Sequence, residues 1–286
     1  MKSRGGDSMN EWEALQYYWQ TKQERLKEEA KSKIQFHQEM NKRLIKTVYQ
    51  YNKWKHLSDS ILYQMRTTHY IEDNGDVYVE EQADYRMATI RDGEVVDDQL
   101  AQSTSFLPRQ KEARVHVGEA EERFSYDRRK AVQYAERWWN DANPAYRFFE
   151  VNDCTNYISQ CLRAGGAPMR GQPNRSKGWW YSGESWSYSW AVAHAFRWYL
   201  SGSTIGLKGK RLENPTDLLP GDVICYDFEG NGRFDHTTIV VRKDSNNMPL
   251  VNAHTNNSRN RYWTYEDSMA WTPNCEYIFF RIGNED

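Results

Sequence analysis

Apolar residues recur at helical intervals near the start of the chain: Trp12, Leu15, Trp19, Leu26, Ala30 and Ile34, then Leu44, Ile45, Val48 and Tyr51. The stretch from about Asn10 to Trp54 holds no Gly or Pro and is rich in Lys, Glu, Gln, Arg and Leu. The pattern predicts one long polar helix, with room for a bend in its middle. Such a helix packs its apolar stripe on its own domain or against a second copy, so a monomer or a dimer through this helix is expected. From about Ile61 to Val117 short β-like runs replace it. Thr68–Ile71 and Val77–Glu80 flank Glu72-Asp73-Asn74-Gly75-Asp76, a hairpin turn signal. Arg86–Ile90 and Val95–Val96 flank a second at Arg91-Asp92-Gly93, and Val115-His116-Val117 reads as a last strand.

A different pattern begins near Tyr126. Asp127 to Asn140 carries Ala131, Tyr134, Ala135 and Trp138 on one helical face, and Asn143-Pro144 stops it. Cys154 to Ala164 reads as a second helix, closed by Gly165-Gly166 and Pro168. Residues 171 to 190 form a loop rich in Trp, Tyr, Gly and Ser, and a third helix runs from about Trp190 to Leu200. Strands are expected at Asp222–Tyr226, His236–Val241, Leu250–His254 and Tyr277–Arg281. Helices followed by strands indicate an α+β fold. Residues 1–123 are expected to form a small α+β accessory domain with a long N-terminal helix, and residues 124–286 a second domain.

Composition narrows the classes of function. Hydrophobic residues make up 38% of the 286 and aromatics 14%, which supports a packed core. A net charge of −2 gives no reason to expect nucleic acid or an anionic membrane as partner. No run approaches the roughly 18 apolar residues that span a bilayer. Met1–Met9 lacks the apolar region of a secretory signal, so a cytoplasmic protein is expected, with cell-wall association or another export route left open. Arg4-Gly5-Gly6 is encodable by a purine-rich stretch resembling a ribosome-binding site, which raises Met9 as the natural start. Cys154, Cys161, Cys225 and Cys275 show neither a disulfide framework nor metal spacing, and reduced thiols are expected.

Candidate chemistry concentrates in Asn152-Asp153-Cys154-Thr155-Asn156. A thiol in the first turn of a helix feels the partial positive charge of the N-terminus and ionises more readily, and a thiolate attacks carbonyls. Cys154, Tyr157, Ile158, Cys161 and Leu162 also form an apolar stripe, which suits a small buried hydrophobe. Cys161 belongs to that stripe; Cys154 differs in following Asn152-Asp153, where capping residues belong. His236, at the head of a strand candidate, supplies a base. Asn252 and His254, on one face of the next strand, supply a third polar group; His254 is preferred and Asn252 stays open. His37, His56, His69 and His116 lack a partner pattern and read as structural or surface residues, and His194 as core or surface.

These motifs carry a resemblance. Tyr126–Ala135, Asp153–Leu162 with Gly165-Gly166, Pro220–Ile224 and Asp235-His236-Thr237 resemble the bacterial putative amidase domain family, related to the NlpC and CHAP papain-like cysteine enzymes. The match covers somewhat more than half the chain, and Tyr157 stands where Phe is commoner. The resemblance implies a papain-like fold, with the cysteine helix packed on an antiparallel sheet that bears the histidine. It implies Cys154 as nucleophile, His236 as general base, and His254 as the third residue. The backbone N–H of Cys154 is then the first oxyanion donor. The expected activity is amide hydrolysis through a thioester, with a peptide or peptidoglycan fragment as substrate. A catalytically silent peptide- or glycan-binding module and an acyltransferase are the alternatives.

Three further features bear on ligands. Asp227, Glu229 and Asn231 place oxygen ligands at alternate positions beside a glycine turn, like half a calcium loop, but Thr238 stands where the closing Glu belongs. No cofactor is expected, and a weak calcium site is the alternative to a plain turn. Trp179, Trp180, Trp186 and Trp190, in a loop that also holds Tyr181 and Tyr188, either cover the sheet or line a substrate groove. Asp153 and Asp235, next to the two reactive residues, are further candidate substrate contacts.

Overall fold

A computed structural model describes residues 10–57, 59–101, 125–149 and 152–283. The chain divides into two units, Met1–Thr104 and Ser105–Asp286. The expected boundary at 123/124, the strand at 115–117, His116 and the Met9 start all lie outside the described residues.

In the first unit the expected long helix is two helices, α1 (Glu11–Thr21) and α2 (Gln23–Glu39). A capping box closes the start of α1: the Asn10 side chain accepts from Glu13 N–H, and the Glu13 side chain accepts from Asn10 N–H. Beyond Asn41, whose φ of 56° turns the chain, residues 43–57 form strand β1 (Arg43–Leu57) instead of more helix. Leu44, Ile45, Val48 and Tyr51 fit helical spacing, but Thr47, Val48, Tyr49 and Tyr51 favour a strand, and pairing with β2 (Ser60–Asp73) decides it. β3 (Asp76–Arg91) and β4 (Glu94–Leu100) follow, each strand antiparallel to the one before. Both predicted hairpin turns are present: Asn74 and Gly75 lie at φ 51° and 89°, and Asp92 and Gly93 at 54° and 79°. Two left-handed residues in a two-residue loop match the twist of the flanking strands. Leu15, Trp19, Leu26, Ile61, Tyr63, Met65, Ala88 and Ile90 form the core of this unit.

The second unit has helices α3 (Arg128–Trp138), α4 (Cys154–Ala164), α5 (Tyr188–Ala191) and α6 (Ala193–Gly202). Its strands are the short pair β5 (Tyr181–Ser182) and β6 (Ser185–Trp186), then β7 (Gly209–Leu212), β8 (Val223–Asp227), β9 (His236–Lys243), β10 (Pro249–Ala253), β11 (Asn257–Tyr262) and β12 (Glu276–Ile282). The order β11-β10-β9-β8-β12-β7 is antiparallel throughout, so the fold is α+β as expected. The C-terminal strand inserts between β8 and β7. β7 and β11 were not expected, because Gly-Lys-Arg-Leu and Asn-Ser-Arg-Asn-Arg-Tyr carry no apolar alternation.

Both faces of this sheet are covered. Val223, Cys225, Ile239, Ile278 and Phe280 pack with residues of α3, α4 and α6. Ile224, Tyr226, Val240 and Phe279 point the other way, onto a cluster that includes Phe228 and Tyr265. The alternation along each strand produces this division. Asp222, fully buried, ties three segments together: Oδ1 accepts from Arg128 Nη1 at 2.6 Å and Ile282 N–H at 2.9 Å, and Oδ2 accepts from Arg281 Nε at 2.7 Å.

Candidate active site

Helix α4 ends in a Schellman arrangement, with Gly166 at φ 96°, its N–H donating to Arg163 O and Ala167 N–H donating to Leu162 O. A Cβ at Gly165 would stand 2.4 Å from the Tyr126 ring, so that position requires glycine. At the other end Asp153 occupies the cap position, but its carboxylate does not cap the helix. Oδ1 accepts from Phe149 N–H at 2.9 Å and from Asn156 Nδ2 at 2.8 Å, while Oδ2 meets His254 Nδ1 at 2.6 Å. The first-turn N–H groups of α4, which have no partner within the helix, therefore receive no side-chain cap.

Cys154 is 3% exposed and faces the start of β9. Burial raises its pKa above the ordinary thiol value; the hydroxyls of Thr155 and Thr237 and the Thr237 backbone N–H, all directed at the sulfur, offset only part of this. The expectation that the helix N-terminus makes this thiol easy to ionise is therefore corrected, because desolvation outweighs the favourable dipoles. Thr155 Oγ1 and Thr237 Oγ1, 3.2 Å apart, fasten the first turn of α4 to β9. Cys161 is fully buried in the helical core.

His236, the residue before Thr237, is 6% exposed. Its ring lies among Tyr265, Tyr226 and Phe228, with centroids at 5.2, 5.6 and 5.9 Å. Burial, with a lesser effect from the Arg261 cation, lowers its pKa to about 3, so the imidazole is neutral at ordinary pH. Nε2 lies 3.3 Å from the Tyr265 hydroxyl, and Nδ1 has no hydrogen-bond partner among the described residues. Cys154 thus meets Thr237 at the start of β9, and His236 is the residue before it in the strand. Tyr265, which shares electrostatic contact with Cys154, completes the cluster. No sequence pattern pointed to Tyr265, which lies in a turn at φ 60° after the unexpected strand β11.

His254 and Asn252 turn elsewhere. His254 sets Nδ1 on Asp153 and Nε2 on the Trp138 carbonyl at 2.7 Å, and stacks on Tyr157 with ring centroids 4.0 Å apart. Asn252 donates to Glu136 Oε1 at 3.0 Å and accepts from Asn260 N–H at 2.9 Å, joining α3, β10 and β11. Neither residue hydrogen-bonds to His236 among the described residues; their partners come from α3, β11 and the N-cap of α4. Asp153, with its carboxylate fully engaged and 2% of its surface exposed, is a structural anchor here. Asp235 remains exposed beside His236.

Residues 125–280 match a family model described as "Putative amidase domain". The chain belongs to this family. Within the amidase match lie Cys154, His236, Asn252, His254 and Tyr265. The chain is 54% identical over 218 residues to the "Uncharacterized protein YhbB" of Bacillus subtilis (strain 168), covering 74% of this chain and 70% of the relative. It is 33% identical over 139 residues to the "Uncharacterized protein YjcM" of the same organism, covering 46% of this chain and 31% of that relative. No solved structure matches.

Within this amidase domain the side chains of the two candidate ligand features are engaged internally. Trp179, Trp180 and Trp190 are core residues at 0–1% exposure, out of reach of a substrate. Their indole N–H groups are spent inside, for example Trp179 Nε1 on Ser159 Oγ and Trp190 Nε1 on Asn156 Oδ1. Trp186 alone of the four is half-buried, with the guanidinium groups of Arg147 and Arg175 each 5.2 Å from its ring centroid. In the loop after β8 the Asp227 carboxylate accepts from the backbone N–H groups of Gly230, Asn231 and Gly232, and Glu229 accepts from Asn231 Nδ2. These bonds build the turn. Among the described residues no group of three or more His, Cys, Asp or Glu side chains is placed to hold a metal ion, and no helix is long and apolar enough to cross a membrane.

Proposed function

We propose that the chain is a cysteine-dependent amidase with a papain-like arrangement of helix and sheet, acting on peptides of the cell-wall type. One observation carries the reading: the thiol at the head of α4 lies against Thr237, whose neighbour His236 has one ring nitrogen without a hydrogen-bond partner among the described residues. His236 takes the thiol proton as the sulfur attacks the amide carbon. The carbonyl oxygen gains negative charge and is met by the Cys154 backbone N–H at the uncapped helix N-terminus. The imidazolium returns its proton to the leaving amine, the C–N bond breaks, and a thioester remains. Water, deprotonated by His236, releases the acid and restores the thiol. Since both groups rest neutral, proton transfer accompanies attack rather than preceding it.

Burial of both groups also fits a catalytically silent peptide-binding scaffold. Incubation of wild type and Cys154→Ala with muropeptides, read by mass spectrometry, separates the two. The amidase reading requires new peptide fragments from wild type only; identical products from both proteins overturn it. The acyltransferase alternative shows in the same spectra as a product joined to an added amine. Iodoacetamide labelling near neutral pH gives a second reading that needs no substrate: Cys154 reacts faster than Cys161, Cys225 and Cys275.

A further inference from the structure

We propose that Tyr265 is the positioning residue of His236, a role the sequence assigned to His254 or Asn252. The inference rests on the cysteine-amidase reading and supplies the member that His254 and Asn252 leave open. Tyr265 reaches His236 Nε2 at 3.3 Å, and its oxygen is also 3.2 Å from Ser258 Oγ on β11. A continuous chain of contacts therefore runs Ser258, Tyr265, His236. Ser258 and Tyr265 are 2% and 4% exposed, so bulk water does not compete for these bonds.

The proposed role requires one arrangement of protons among these contacts. Nδ1 is the nitrogen left to receive the thiol proton, so the resting ring carries its hydrogen on Nε2 and donates it to the phenol oxygen. The phenol hydrogen in turn donates to Ser258 Oγ. When Nδ1 gains the proton, the Nε2–H bond to Tyr265 persists and holds the imidazolium in register with the sulfur. This is the role of the third group in a triad, carried here by a neutral hydroxyl. Burial raises the phenol pKa, which keeps it protonated through the working range.

The surroundings fix Tyr265 in turn. Its backbone sits at φ 60°, a conformation that a bulky residue adopts only when its neighbours enforce it. The Arg261 guanidinium lies 4.0 Å from the ring centroid and pairs with Asp267 at 2.8 Å. The titratable or charged groups around His236 are thus the Tyr226 and Tyr265 phenols and Arg261, with the Cys154 thiol an electrostatic neighbour of Tyr265. No carboxylate contacts the ring among the described residues.

Tyr265→Phe removes the hydroxyl and keeps the ring. Two readouts on the intact chain test it. The first is the pH profile of Cys154 carboxamidomethylation, resolved from the other cysteines by peptide mass spectrometry. Tyr265→Phe is expected to slow labelling at pH 7 about tenfold, the worth of one neutral hydrogen bond, and to displace the profile; Ser258→Ala acts in the same direction and less. The second is the ring nitrogen shifts of His236 by NMR, which show the Nε2–H tautomer in wild type and a mixture in Tyr265→Phe. A residue that serves packing alone changes the melting temperature and moves neither readout. Superimposable profiles and an unchanged tautomer overturn the proposal. If wild-type Cys154 labels no faster than Cys161, the amidase reading fails, while the tautomer measurement still decides whether Tyr265 holds the ring.

Discussion

Two buried histidines of this domain sit in opposite settings. His254 has both ring nitrogens occupied, one by the Asp153 carboxylate and one by the Trp138 carbonyl, and its face is covered by Tyr157. His236 has a hydroxyl on one nitrogen, no partner on the other among the described residues, and a setting of aromatic rings. A carboxylate next to a histidine is usually read as the sign of catalysis. Here the histidine with the carboxylate is the clamp that fixes the start of α4, and the one without it keeps a nitrogen with no hydrogen-bond partner among the described residues.

The largest expected effect separates the pockets by acid. His236 has a pKa of about 3 in the fold and about 6.5 when unfolded. The unfolded chain therefore binds the proton first as pH falls. The stabilisation is fully present above pH 6.5, declines below it, and is gone near pH 3, amounting to at most about 5 kcal/mol. Urea unfolding at several pH values should show this slope in wild type and lose most of it in His236→Asn. Next, His236→Asn should reduce peptide hydrolysis about a thousandfold, the scale of a lost acid–base group. His254→Asn should reduce it far less at a temperature where the variant stays folded.

His254→Phe attacks the clamp instead. It leaves Asp153 buried without one of its partners and should cost about 3 kcal/mol in urea unfolding. The pH profile of Cys154 labelling should keep its midpoint, because the Thr237 and His236 contacts remain. If the midpoint moves with His254 and not with His236, the division of roles drawn here is reversed. The smallest change, Thr237→Val, removes a hydroxyl that touches both the thiol and Thr155. It should cost about 1 kcal/mol and slow labelling a few-fold, with the backbone N–H still in place.

Which parts were legible in the sequence follows from where the information lies. The places of Cys154 and His236 at the heads of α4 and β9 were readable because each element has a clear apolar period. The hairpin turns were readable because Asn-Gly and Asp-Gly carry their own backbone preference. β1 was misread as helix, since Leu44, Ile45, Val48 and Tyr51 satisfy both periods over a short window and the partner strand arbitrates. The Trp-rich loop was ambiguous because burial of Trp179 and Trp190 depends on α4 and α6 arriving over them. Tyr265 was hidden for a related reason. Its hydroxyl meets a nitrogen 29 residues earlier in the chain, and its turn residues fit no local pattern.

The place of β12 in the sheet sets an order of events during synthesis. β8 and β7 emerge from the ribosome long before residues 276–282, yet they have only β12 to join them. Until that strand arrives β8 presents a bare edge, β7 has nothing to pair with, and Asp222 lacks the donors from Arg281 and Ile282. A nascent chain in this state offers an open template to other chains. The last seven residues of the sheet thus act as a latch, and the time between making β8 and making β12 is the interval in which this domain is most exposed to aggregation.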